Sequence, residues 1–172
     1  MLDLFDTALV ATITPVIITR IGNDTGGIDS VLQGSGNISE AVKAETTSSA
    51  IYNLDIVEIS FYLKKTGSPT GTVSFQMQDG SHSLVQEYGT HDVSTLSTSY
   101  TKITKTGTAQ TMGENYYLVA KYTGGDGSNN ISVERVNSNV YDGSNTIRAR
   151  EDSTSSWADD SSRDVRFEIG YI

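Results

Sequence analysis

This sequence predicts an all-β fold, an antiparallel β-sandwich with an N-terminal arm, and three observations carry the prediction. Apolar residues recur with a period of two over short runs, and no window of about 11 residues shows the 3.6-residue period of a packed helix face. Gly-, Asp- and Ser-rich stretches punctuate these runs. Hydrophobic residues are 36% and charged residues 19%, both below the globular averages of about 45–50% and about 25%. Ser, Thr, Gly and Asn fill the difference, as short strands joined by polar turns require. The 172 residues contain no cysteine and fit one domain, large enough to bury a core without disulfides or metals. Two packed sheets are expected because one long open sheet leaves an apolar face and both edges unprotected.

The expected boundaries are an N-terminal arm or first strand over residues 1–21 and a sandwich domain over 22–172. Leu9 to Ile21 is an apolar run interrupted by Pro15, and a weak strand follows near Ala41 to Thr46. Leu54 to Leu63 is a strong strand of β-branched and aromatic residues in which the order at Glu58 and Ile59 switches face, which suggests a bulge and leaves open which of Ile56 and Ile59 points inward. Thr72 to Gln78 alternates strictly, and the turn residues from Lys64 to Gly71 predict an antiparallel hairpin with a long tip between these two strands. Further strands are expected at Leu84–Tyr88, Tyr100–Thr106, Tyr116–Tyr122, Asn130–Val136, Thr146–Arg150 and Asp164–Tyr171, with one short helical turn at Asp92–Leu96. Asp79-Gly80, Asp126-Gly127 and Asp142-Gly143 are expected to supply positive φ and a side-chain acceptor to their turns. The expected core is Ile56, Ile59, Phe61, Leu63, Val73, Phe75, Leu118, Val133, Val165, Phe167 and Ile169.

Charge narrows the partners. Against 12 Lys and Arg stand 21 Asp and Glu, a net charge of −9 that repels a phosphate backbone and an anionic lipid surface. Nucleic acid and membrane are therefore not expected partners. Asp3 and Asp6 occupy the place of a basic signal-peptide region, and Pro15 breaks the one apolar run, so neither a signal peptide nor a transmembrane segment is expected.

Catalytic chemistry finds no foothold in the sequence, and no catalytic residue is expected. His82 and His91 are the only histidines, and no serine lies in a G-x-S-x-G elbow. The aspartates fall mostly in turns, where solvation and side-chain capping account for them. Asp126-Gly127-Ser128-Asn129-Asn130 gathers hard oxygen ligands on a glycine loop without an EF-hand register, so Asp126, Asn129 and Asp142 are the candidate ligands of a structural Ca2+, the one cofactor considered. Tyr122, Tyr141 and Trp157 are the candidate ligand contacts, since such rings join an apolar face to a polar edge. Trp157 falls in a polar stretch read as a loop, and the adjacent Tyr116 and Tyr117 must face opposite ways on a strand.

Three segments in order, Ile59–Phe75 with G-S-P-T-G between two strands, Tyr116–Val133, and Ser155–Ile169 with Trp157 before R-D-V-R-F, resemble the jelly-roll β-sandwich modules of phage and archaeal virus structural proteins. More distantly they are similar to carbohydrate-binding modules and extracellular adhesive domains. The resemblance spans roughly Ser30 to Tyr171 and implies an antiparallel, jelly-roll-like sandwich. It also implies a non-enzymatic virion structural protein, a capsid decoration or other surface subunit located on the virion or extracellularly. The implied partners are further copies of itself, or a major capsid or other virion protein. The alternative is a carbohydrate-binding module or pilus-like adhesin recognising a cell-surface glycan. An apolar stretch opening at Met1, with no catalytic domain beside it, fits a subunit. Leu2, Leu4, Phe5, Leu9, Val10, Ile13, Val16 and Ile18 are the expected assembly contacts, with the strand from Leu9 to Ile21 closing its own sheet or adding to a neighbour's.

Overall fold

The computed structural model describes residues 17–172. Thirteen strands lie among them: β1 Thr19–Asn23, β2 Ile28–Leu32, β3 Asn37–Ala44, β4 Asp55–Thr66, β5 Thr72–Gln78, β6 Leu84–Asp92, β7 Thr101–Thr111, β8 Tyr117–Lys121, β9 Asn130–Val136, β10 Thr146–Asp152, β11 Trp157–Asp160, β12 Asp164–Val165 and β13 Phe167–Tyr171. They form two antiparallel sheets packed face to face. In one sheet β4 is flanked by β7 on one side and by β13 and β9 end to end on the other, with β1 and β2 outermost. The other runs β11-β10-β3-β8-β5-β6. The pairs β3/β10, β4/β9 and β5/β8 nest inside one another like the arms of one long folded hairpin, a jelly-roll-like winding.

The apolar period of two places the core between the sheets. Every residue expected in the core is there, with Leu32, Ile51, Met77, Met112, Tyr122 and Ile131 added. Phe61 of β4 and Phe75 of β5 face each other across the layers with ring centroids 5.7 Å apart. The bulge falls at Val57: both β7 and β13 skip that residue in their register with β4. One extra residue turns an odd spacing into an even one, so Ile56 and Ile59 both point inward and are fully buried.

The expected hairpin of β4 with β5 does not form. β4 belongs to one sheet and β5 to the other, and the true partner of β5 is β6, across the turn at Asp79–Ser83. The reason lies in the connection, where Gly67 (φ 66°) and Gly71 (φ 94°) turn the chain out of the first sheet and over the edge of the sandwich. At Gly67 a Cβ would run into the Ser128 carbonyl oxygen, so the crossing also depends on a close backbone approach. Of the three Asp-Gly turns, positive φ occurs at Asp142 and Gly143 but not at Gly80 or Gly127; His82 and Gly125 take that conformation in the other two loops. Asp79 and Asp126 do act as acceptors, each taking two backbone N–H groups of its own turn. The expected helical turn is present at Val93–Thr95, capped by the Asp92 carboxylate.

Two strands were not foreseen, β2 and β11, and Trp157 opens β11 where a loop was expected. The weak strand near Ala41 begins earlier, at Asn37. The last run is interrupted at Arg166, whose N–H donates to the Glu134 carbonyl oxygen while the chain shifts its pairing from β9 to β4. Only the end of the Leu9–Ile21 run falls within the described residues. There β1 pairs at home with β13, Thr19 opposite Tyr171, and Ile18 lies over Gly170. Leu2, Leu4, Phe5, Leu9, Val10, Ile13 and Val16 lie outside the described residues. No helix among the described residues is long and apolar enough to cross a membrane.

Candidate functional site

Both outer faces of the sandwich carry organised side chains. On the sheet containing β8, outward register sets Tyr117 and Val119 of β8 beside Ala41 of β3 and Ala149 of β10. The two alanines leave a trough, and Trp157 packs into it from the edge strand β11. His82 of the β5–β6 turn stacks on Trp157 with parallel rings 4.5 Å apart, and Tyr117 touches both rings at 4.8 and 5.1 Å. Lys43 sits 5.5 Å from the Tyr117 ring centre and bonds Asp159 at 2.7 Å and Glu45 at 2.6 Å. Burial opposes the Lys43 charge, but those two carboxylates outweigh it and raise its pKa. The outcome is a second small core outside the sandwich, half-roofed by Trp157 and His82.

This arrangement makes the only tryptophan a reporter. Replacing His82 with alanine removes the stacked ring and uncovers the indole, so Trp157 emission should move to longer wavelength with the fold retained by circular dichroism. Emission unchanged from the parent would show that the stack does not exist in solution.

On the opposite outer face a cavity of about 370 Å3 is bordered by Arg20, Gly22, Asp24, Tyr62 and Glu168, and a Cβ at Gly22 would run into the Phe167 carbonyl oxygen, so the glycine there permits the close approach of β1 to β13. Its volume falls in the lower part of the range for small-molecule sites. The walls are braced by ion pairs: Arg20 with Glu58 at 2.6 Å, Lys102 with Glu168 at 2.7 Å and Arg166 with Asp24 at 2.6 Å. The Arg166 guanidinium lies 3.8 Å over the Tyr62 ring. The Arg166 hydrogen bond, reinforced by its charge, holds the Asp24 carboxyl below the usual aspartate range. Beside this group Lys64 covers the Tyr100 ring, and both donate to Asp29.

The three aromatic candidates do not form one platform. Tyr122 is fully buried and donates its hydroxyl to the Thr70 carbonyl oxygen. Tyr141 stands edge-on to Phe167 at 5.1 Å at the margin of the core, where burial pushes its phenol up to about 12. Only Trp157 lies on an outer face. The candidate calcium ligands are also separate in their bonding. Asp126 accepts from Ser128 and Asn129 within its own loop, whereas Asp142 accepts from Ala50 N–H and the Thr146 hydroxyl. Among the described residues no three His, Cys, Asp or Glu side chains converge on a metal position. His91 lies on β6 with its Nε2 3.2 Å from the Thr95 hydroxyl. The Tyr62 cavity has no local sequence signal, because the residues that border it come from β1, β4 and β13.

Comparison with known proteins adds no relative: no family, no curated protein and no solved structure matches this chain.

Proposed function

We propose that this chain is a non-enzymatic structural subunit of a prokaryotic virus particle, a capsid decoration or other virion surface protein that acts by protein–protein assembly. The observation that carries the reading is where the apolar N-terminal run meets the sandwich. It joins at β1, an outermost strand that among the described residues pairs only with β13. The chain enters there at Ile17, which is 80% exposed, beside the exposed Ile172 at the end of β13. An apolar segment delivered to an open sheet edge is suited to a second subunit, by added strand pairing or by burial of its side chains. The net charge of −9 suits a face turned to solvent, and the resemblance to viral jelly-roll modules points the same way. Genes for capsid, portal or tail proteins beside the coding sequence would support this reading, and a glycoside hydrolase neighbour would oppose it.

A second reading, a glycan-binding module, is favoured by Trp157, whose ring is half-exposed on an outer face among polar neighbours. A glycan array probed with the parent protein and with Trp157→Ala separates the two. The assembly reading expects no tryptophan-dependent sugar binding; binding that vanishes with the ring would replace it with the module.

A further inference from the structure

Inward register on β9 runs Ile131, Val133, Arg135, so the strand that supplies two fully buried apolar side chains ends by pointing a guanidinium between the sheets. Beside the buried Val165, which pairs with Arg135, that end of the sandwich gathers a group of polar side chains. Glu40 and Arg148 pair with both side chains almost completely buried, and Ser30 donates to Glu40 at 2.5 Å and accepts from Arg148 at 3.1 Å. Asp160 takes Arg148 at 3.3 Å and Arg163 at 3.0 Å. The charges that bear on Arg135 are Arg148 and Arg163, then Glu40 and Asp160, with Asp29 also within reach of its charge.

Three guanidinium groups and the Lys64 ammonium therefore meet three carboxylates, Glu40, Asp160 and Asp29, each already engaged by Arg148, Arg163 or Lys64. Arg135 is the one left over. Its Nη1 donates to the amide oxygen of Asn137, its Nε is sealed from solvent with no acceptor, and among the described residues no carboxylate pairs with it. Four residues on, Asn139 ties its loop to the Ser161 carbonyl oxygen, two residues before Arg163, and leaves its own side-chain oxygen buried without a donor. Elsewhere the buried Lys43 and the half-buried Lys121 and Arg166 each have a carboxylate of their own. A guanidinium drawn between the sheets, unpaired and beside two others, is short of one anion.

We propose that Arg135 and Arg163 bind an oxyanion at this end of the sandwich, a phosphate or carboxylate group supplied from outside the chain. Arg163 is the more open of the two, its side chain 41% exposed, and offers donors in the fork geometry that such groups accept. Arg135 is the more enclosed, its Nε shut away from solvent.

The test is a titration of the full chain with inorganic phosphate and, separately, with acetate, against sodium chloride at equal ionic strength, followed by the arginine Nε–H signals in nuclear magnetic resonance. A saturable shift of the Arg135 signal is expected with one of the two anions and not with chloride; which one responds tells a phosphate ligand from a carboxylate. Arg135→Gln should weaken binding about tenfold or more, the loss of a charge-assisted contact. Asp160→Asn removes a competing carboxylate while keeping an acceptor for Ser162, and should tighten binding. That opposite sign separates a charge-balanced site from mere loss of structure, and it remains readable if Arg135→Gln fails to fold. No saturable shift in the parent, unchanged binding in Arg135→Gln, or unchanged or weaker binding in Asp160→Asn would each overturn the proposal.

Discussion

Glu40→Gln should cost about 3 kcal/mol of stability, the lower end of the range for breaking one side of a buried ion pair. Glu40 is fully buried on β3, and Arg148 on β10 is 2% exposed, with its Nη2 donating to Glu40 at 2.9 Å. Glutamine keeps an acceptor in place but removes the charge, leaving the Arg148 guanidinium with Asp160 as its remaining anion. The effect exceeds that of any surface pair here, because the exposed partnerships of Arg20 or Lys102 gain little in water. Replacing both partners by apolar residues of similar size, Glu40→Leu with Arg148→Met, should restore most of the loss, since the penalty comes from the stranded charge. Urea denaturation of the parent and the two variants measures this. A single-variant loss below about 1 kcal/mol would mean that water reaches the pair.

Phe61→Ala should be at least as severe, at about 3–5 kcal/mol. The ring is fully buried on the central strand β4 and meets Phe75 from the facing sheet, so its removal opens a void between layers held apart by backbone hydrogen bonding on both sides. For a chain of this length each kcal/mol lowers the melting temperature by about 2–4 °C. Thermal unfolding of Phe61→Ala beside Phe61→Leu reads the effect, with leucine expected to recover a large part. A loss under about 1 kcal/mol in the alanine variant would contradict the packing of the two sheets through this pair.

How much of this was legible in the sequence depends on whether a strand obeys alternation. β5, with Val73, Phe75 and Met77 on one face, could be read directly, and the irregular order in β4 even announced its bulge. β3 was only half visible because both of its faces are covered: Glu40 goes inward to an arginine, while Ala41 and Lys43 lie under the Trp157 cluster on the outside. A polar residue buried by pairing looks exposed in sequence. β11 was hidden for a related reason, since W-A-D-D has a loop composition yet pairs with β10 and spends its aspartates on Lys43, Arg148 and Arg163. The β4–β5 connection misled because turn residues reveal a reversal of the chain without saying whether it stays in the sheet. The candidate aromatics scattered for want of any local signal that distinguishes a core tyrosine such as Tyr122 from a surface one such as Tyr62.

The proposal that this protein works by assembly stands on the N-terminal apolar run reaching the sheet edge at β1. Sedimentation velocity of the full chain and of a variant lacking residues 1–8, over a range of concentrations, tests it most directly. The full chain is expected to associate into a defined oligomer, and the truncation, folded by circular dichroism, to shift this equilibrium toward monomer. A full chain that stays monomeric throughout, or a truncated one that assembles with undiminished stability, would contradict it.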